Sequence, residues 1–240
     1  MNILIPMAGL GSRFQNVGYS LPKPLIDING QPMIVKAISS LDIEGQYFFI
    51  LSNNEYTETI KKEILSIRPD SKFVIIDYLT EGPACSALLH KANINNEEEL
   101  IIANCDQIMT WNSNTFLYNV RLYDGAVVTY FNTTNKNSYA KVNDQGFVTE
   151  IKEKEVISNI SLNGIHYWKK GYYFVDSAEE MIKQNQRANN GEFYIGPSFN
   201  NMIKNGKKVG IYHIPNEYHH SVGVPEDLER YLAYEKNKLI

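Results

Sequence analysis

With 240 residues, 43% of them hydrophobic and 21% charged, the chain is long enough to bury a full core and is read as one domain over residues 1–240. A formal net charge of −4 without a basic cluster argues against a nucleic-acid binder, whose affinity would rest on neutralising phosphates, and no apolar run approaches the roughly 20 residues of a membrane span. Cys85 and Cys105 are the only cysteines, too few for a disulfide scaffold, and no basic region precedes an apolar one at the start, so free thiols and a cytoplasmic protein are expected.

The apolar run over residues 2–5 predicts a buried strand that ends at Pro6. It leads into Ala8-Gly9-Leu10-Gly11-Ser12-Arg13, where two glycines let the backbone turn sharply and present bare N–H groups to an anion. Arg13 can add a guanidinium fork to that anion. Pro22 and Pro24 fix φ on both sides of Lys23, which limits where its ammonium can point. Two cations and a turn of amides suggest a polyphosphate. Residues 25–28 form a short apolar segment closed by the tight-turn pair Asn29-Gly30, and Pro32 suits the start of a helix over 33–41. A strand follows over 47–51, then an amphipathic helix over 55–67 with Ile60, Ile64 and Ile67 on one face, and a strand over 73–76. The loop 78–83 enters a helix over 84–92, residues 93–99 read as a solvated loop, and 100–103 as a fourth strand. This alternation predicts an α/β fold: a Rossmann-like, doubly wound, mostly parallel sheet with helices on both faces and ligands beyond the carboxyl ends of the strands.

From Gly125 the pattern becomes β-rich, with strands over 126–130, 139–142, 147–151 and 164–168 and a turn at 144–146. Helices over 175–187 and 197–205, a strand over 209–213 and a helix over 225–234 complete the chain. Residues 1–124 thus read as a nucleotide-binding half and 125–240 as an acceptor-binding half carrying an inserted β-rich part.

Asp106 stands just beyond the fourth strand, so its carboxylate should emerge at the sheet edge beside the first turn. Mg²⁺ prefers one or two carboxylates plus phosphate oxygens in such a place. Asn104 and Gln107 can orient Asp106 or contact ribose, and the loop carrying Glu81, Gly82 and Cys85 lies where a base or ribose would pass. A nicotinamide-dinucleotide reading of the glycines is disfavoured, because the third glycine of that fingerprint is replaced by Phe14. Glu153 and Lys154 follow the hairpin and suit a carboxylate for hydroxyls beside a lysine for a phosphate. His219 and His220 are adjacent, so on a strand they point opposite ways and at most one is a ligand; zinc spacing is absent.

Taken together these segments resemble the sugar-phosphate nucleotidyltransferases, the family of the glucose-1-phosphate thymidylyl-, cytidylyl- and uridylyltransferases. GLGSRF with PKP looks like the family's phosphate signature, EGPACSA its base loop, ANCDQ its metal-binding aspartate and IKEK its sugar-binding Glu-Lys segment. NGIHYW, with Gly164, and GEFYIGP, with Tyr194, resemble the walls of the sugar pocket, and VGVPEDL the family's terminal motif. The resemblance implies an NTP donor, a pyrimidine nucleotide with CTP as first choice, and a sugar 1-phosphate acceptor. The products would be pyrophosphate and an NDP-sugar for surface polysaccharide synthesis, with Arg13, Lys23 and Asp106 catalytic and Mg²⁺ as cofactor. Two positions depart from the pattern. Ser221 stands where the family commonly has a second metal-binding aspartate, leaving Ser221, His220 or a water to complete the site, and Cys85 replaces a base-loop glutamine of the thymidylyltransferases. A non-sugar phosphate acceptor, such as a polyol or choline-like phosphate, and a nucleotide sensor without turnover stay open as alternatives, as does a homo-oligomer.

Overall fold

The computed structural model describes residues 1–9 and 11–238. In chain order the elements are β1 (Asn2–Pro6), α1 (Ser12–Gln15), β2 (Asp27–Ile28), β3 (Gln31–Pro32), α2 (Met33–Leu41), β4 (Gln46–Ser52), α3 (Thr57–Ile67), β5 (Lys72–Ile76), α4 (Pro83–Leu88) and α5 (Lys91–Ile94). They continue with β6 (Leu100–Ala103), β7 (Gln107–Met109), α6 (Ser113–Val120), β8 (Gly125–Phe131), β9 (Ser138–Val142), β10 (Val148–Glu153), β11 (Ile160–Trp168), α7 (Gly171–Lys183), α8 (Phe199–Lys204), β12 (Val209–His213), β13 (His219–Ser221) and α9 (Pro225–Lys238).

The main sheet runs β10-β9-β11-β6-β1-β4-β5, with β8 pairing to β11 and β12 pairing to β8. Its central strands are parallel: β1 lies between β4 and β6, and β5 follows β4. The expected doubly wound arrangement is therefore present. The β-rich residues do not stand apart, however; β11 runs antiparallel to β6, with Ile165 opposite Ala103 and Trp168 opposite Leu100, so the second half extends the same sheet.

Strand pleating explains why the central runs are apolar throughout. Leu4, Phe48, Ile50 and Ile102 face a core closed by α4, α7 and α8 through Ala87, Phe174, Met181 and Phe199. Their neighbours Ile3, Ile5, Phe49, Leu51 and Ile101 face the opposite core, closed by α2, α3 and α6 through Ile34, Ile38, Ile64 and Phe116. Alternate side chains thus enter two different cores, and each fully buried Ile, Leu or Phe contributes about 1.5–3 kcal/mol relative to exposure. A third, smaller cluster of Phe14, Ile28, Ile108, Val222, Leu228 and Tyr231 seats α9 beside the first turn. Among the described residues no helix is long and apolar enough to cross a membrane.

Three local differences from the sequence expectation bear on the site. The helix expected over 84–92 is split into α4 and α5, with His90 between them donating from Nε2 to the Phe49 carbonyl at 3.0 Å. Residues 113–120 form α6, capped by the Asn112 side chain accepting from the Thr115 N–H at 2.8 Å. The three-residue strands β7 and β13 pair with each other and carry Asp106 and the two histidines to one edge of the molecule.

Candidate active site

The turn after β1 is fixed from beneath. The Met7 N–H donates to the Ile50 carbonyl at 3.0 Å, and the Ser52 hydroxyl donates to the Ala8 carbonyl at 2.7 Å, tying the turn to β4. Gly11 has φ +63°, a left-handed conformation that costs glycine nothing, and a Cβ there would lie 3.4 Å from the Lys23 Cβ. That glycine lets the Pro22-Lys23-Pro24 segment approach the turn. Among the described residues, its chain neighbours aside, a Cβ on Gly9 would meet no atom within 4 Å, because Gly9 opens onto the cleft. Ser12 and Arg13 begin α1 and are exposed; Leu10 lies outside the described residues.

Lys23 opens a single 3-10 turn, Lys23–Leu25, between its two prolines, and its Nζ donates to Asp106 Oδ2. Burial would lower the lysine pKa, but the Asp106 carboxylate more than compensates, so the ammonium is held above its ordinary value and stays charged at neutral pH. The neighbouring Cys105 thiol is pushed up to about 11 by burial, which keeps it protonated. Asp106 Oδ1 is buried without a hydrogen-bond partner among the described residues. Gly223 closes the other side: a Cβ there would strike Asp106 Oδ2 and come within 3.6 Å of Lys23 Nζ. The terminal VGVPEDL motif thus bears directly on the Lys–Asp pair, and the Val222 N–H donates to the Asp106 carbonyl at 2.9 Å.

The β7–β13 ladder sets Ser221 opposite Gln107, His220 opposite Ile108 and His219 opposite Met109. Ser221 therefore stands one strand from Asp106. His220 is turned the other way: its ring packs 4.5 Å from Tyr234 and 5.1 Å from Tyr231 of α9, so a role for it beside Asp106 does not fit its direction. The histidine that faces the opposite side of β13 is His219, tilted against Tyr130 with ring centroids 4.4 Å apart; burial and the neighbouring His220 lower its pKa to about 4 against the opposing pull of Asp106, so the ring is neutral.

The loop before α4 is built against residues 187–195. Gly82 has φ +131°, and a Cβ on it would lie 2.5 Å from the Phe193 carbonyl oxygen, so only glycine permits this approach. The Phe193 N–H donates to the Glu81 carbonyl at 2.8 Å, and the Ala84 N–H to the Phe193 carbonyl at 3.0 Å. Two residues expected to face a base do otherwise. The Glu81 carboxylate is paired with Arg187, and Cys85 packs against the core, its thiol pKa raised by burial. Thr80, Gly82, Pro83 and Ser86 line the cleft instead.

Three contiguous cavities surround these groups. One of about 820 Å³ runs from Gly9, Gly11, Lys23 and Asp106 over the ends of β4 and β5; one of about 490 Å³ lies between the turn, with Arg13, and the loop before α4. Lys23 lines both. A third, of about 200 Å³, shares Asn104 with the first and Pro83 with the second, and is walled by Gln107, Asn137, Glu153, Gly164 and Tyr194. In it the Ser138 hydroxyl donates to Glu153, whose pKa is raised by burial. Lys154 is left-handed at φ +56° and donates to the Tyr194 hydroxyl at 2.8 Å, on the outer side of this wall, and Lys136 lines the pocket where Lys154 does not. Gly164, at φ +95°, has no room for a Cβ beside the Asn104 amide, so its role is to admit Asn104 to the shared wall. His166, at the base of the pocket, has its pKa lowered to about 4 by burial.

The bifunctional protein GlmU of Methanococcus maripaludis is 22% identical over 258 residues, covering 100% of this chain and 56% of its own length, so the chain spans little more than half of that relative. The UTP–glucose-1-phosphate uridylyltransferase AglF of Haloferax volcanii is 23% identical over 241 residues, covering 95% of this chain and 93% of its own length. The solved structure of the nucleoside-diphosphate-sugar pyrophosphorylase from Vibrio cholerae RC9 has the same fold, with TM-score 0.84 at 21% identity over 96% of this chain and 99% of that one. The nucleotidyl transferase family model matches residues 3–235, nearly the whole chain and every element around the Lys23–Asp106 pair, and the protein belongs to the nucleotidyl transferase family.

Proposed function

We propose that the protein transfers a nucleoside monophosphate from a pyrimidine nucleoside triphosphate, CTP first, to a sugar 1-phosphate. Pyrophosphate leaves, and the NDP-sugar would feed a glycosyl-transfer reaction that builds surface polysaccharide. The observation that carries this reading is the Lys23–Asp106 pair at the junction of a phosphate turn and a small polar pocket.

An acceptor phosphate oxygen is already an anion and attacks the α-phosphorus without a general base, so the protein must supply in-line positioning and charge neutralisation. The open backbone at Gly9 and Gly11, with Ser12 and Arg13, suits the β- and γ-phosphates. Lys23, held cationic, suits the α-phosphate as charge moves onto the bridging oxygen that leaves with pyrophosphate. The half-buried Glu153 carboxylate would orient acceptor hydroxyls, and Lys136 or, after release from Tyr194, Lys154 would meet its phosphate. Asn104, shared by two cavities, would orient the two substrates across the reacting bond.

Asp106 fits a divalent cation in one respect: Oδ1 is buried and unpartnered among the described residues while Oδ2 is held by Lys23. No cage of three or more His, Cys, Asp or Glu side chains forms among the described residues, which accords with a hard cation that takes its remaining ligands from phosphates and water. Bound there through Asp106, with Ser221 nearby, Mg²⁺ would neutralise charge on the reacting phosphates.

A pyrophosphate-release screen of five nucleoside triphosphates against sugar 1-phosphates, polyol phosphates and phosphocholine, in Mg²⁺, tests the proposal. Release with a sugar 1-phosphate is expected. Release only with a polyol phosphate or phosphocholine would reassign the acceptor. Bound triphosphates without release from any pair would favour the nucleotide-sensing reading, which the serine at position 221 alone supports.

A further inference from the structure

The 820 Å³ cavity does not end at the phosphate turn. The strand order β11-β6-β1-β4-β5 sets the small polar pocket on the β11 side of β6 and the turn at β1, and the 820 Å³ cleft continues the other way, over the carboxyl ends of β4 and β5. A triphosphate anchored at Lys23, with its acceptor entering from the β11 side, can extend its nucleoside along this cleft or toward the 490 Å³ cavity at the loop before α4, and the cleft is the larger of the two.

The chemistry of that outer end is one-sided. Apart from Lys23, no lysine or arginine among the described residues lines the cleft, and its outer end carries the carboxylates of Glu55, beyond β4, and Asp77, beyond β5. The Asn53 N–H donates to the Ile76 carbonyl at 2.7 Å, which fixes the backbone immediately before Asp77 against the end of β4. The Ser52 hydroxyl is already committed to Ala8, and the Asn54 side chain accepts from the Tyr56 N–H at 2.9 Å. Asp77 is exposed to the cleft and enters no side-chain hydrogen bond or ion pair among the described residues.

We infer that Asp77 is a specificity-determining residue that selects a nucleobase bearing an exocyclic amino group and rejects uracil and thymine. This rests on the nucleotidyltransferase reading above. An ionised carboxylate only accepts hydrogen bonds. Cytosine offers it an N4 amino group, and adenine and guanine offer amino groups of their own. Uracil and thymine flank their single N–H with two carbonyl oxygens, which a carboxylate repels. One such contact is worth about 10- to 100-fold in discrimination. It requires no movement of the phosphates.

Equilibrium binding of CTP, GTP, ATP, UTP and dTTP in Mg²⁺, without acceptor, measures this apart from catalysis. For the unmodified protein CTP should bind at least about 10-fold more tightly than UTP or dTTP. Asp77→Asn, whose amide can donate to O4, should bring the CTP-to-UTP ratio close to unity or invert it, while thermal unfolding is unchanged because the side chain is exposed. UTP or dTTP binding as tightly as CTP, or a ratio that Asp77→Asn leaves unmoved, would overturn the inference while leaving the nucleotidyltransferase reading in place. If no triphosphate binds, the nucleotidyltransferase reading falls and the inference falls with it.

Discussion

Gly223 offers a way to disturb the Lys23–Asp106 pair without altering either charge. Its backbone is not left-handed, so alanine there carries no conformational penalty, and the effect is confined to one methyl group. That methyl would occupy the space of Asp106 Oδ2, 3.6 Å from Lys23 Nζ. The carboxylate must retreat by something near 1 Å or rotate off the lysine. Overpacking of this kind costs about 1–3 kcal/mol of stability, and a misplacement of about 1 Å at the reacting centre costs about 100-fold in turnover, or about 3 kcal/mol in the barrier. Gly223→Ala should therefore lower kcat in a pyrophosphate-release assay about 100-fold, with a thermal unfolding temperature lower by a few degrees. In an Asp106→Ala background the obstructing oxygen is gone, and the same substitution should cost almost nothing further in stability or turnover. Near-normal turnover for Gly223→Ala, or an undiminished cost in the Asp106→Ala background, would refute the claim that Gly223 acts through the pair.

Two further outcomes follow from the small pocket and its floor. Glu153→Gln keeps the shape of the side chain but loses its charge, and should raise the acceptor KM about 10-fold or more while triphosphate affinity, measured by direct binding, changes less than about twofold. His166 has a folded pKa near 4 against 6.5 for the free side chain, so the unfolded chain takes up a proton that the folded one refuses. Its contribution is complete above pH 6.5 and is lost as pH falls toward 4. Denaturant titrations should show about 2 kcal/mol less stability at pH 5 than at pH 7 from this residue, and His166→Gln should flatten that slope even if it lowers stability overall. An unchanged slope would mean that His166 is charged in the fold or solvated.

The parts of the fold that were legible in the sequence are those whose residues enter one core locally. Residues 3–5 and 100–103 read as strands because every side chain is apolar, and they are apolar because successive residues enter the two opposite cores. Helix α2 read correctly because Ile34, Ile38 and Leu41 share a face. Helix α6 escaped notice because its buried apolar stripe is only Phe116 and Val120. The strands β7 and β13 are too short to show a period, and their pairing across more than a hundred residues is what separates the directions of His219 and His220. The joining of the β-rich half to the sheet depends on β11 meeting β6, a contact that no local pattern encodes.

At the site, the residues that could be read were those carrying backbone meaning. Gly11, Gly82 and Gly164 all take positive φ, and each admits a neighbour that a Cβ would displace or crowd. What could not be read was which side of a loop each polar residue would face. Glu81 points to Arg187, Cys85 to the core and Lys154 to Tyr194, because residues 187–195, far away in sequence, fold against them. Lys136 and Asp77 carried no motif signal and are placed by that same packing and by the strand ends.

The most direct test of the account is the turnover of Lys23→Ala beside the unmodified protein, measured as pyrophosphate release with the triphosphate and acceptor found active in the screen, and with circular dichroism to follow the fold. The account predicts a loss of at least about 100-fold in kcat with the secondary structure retained, because the cation that meets charge on the bridging oxygen is gone. Near-normal turnover by a folded Lys23→Ala protein would contradict it.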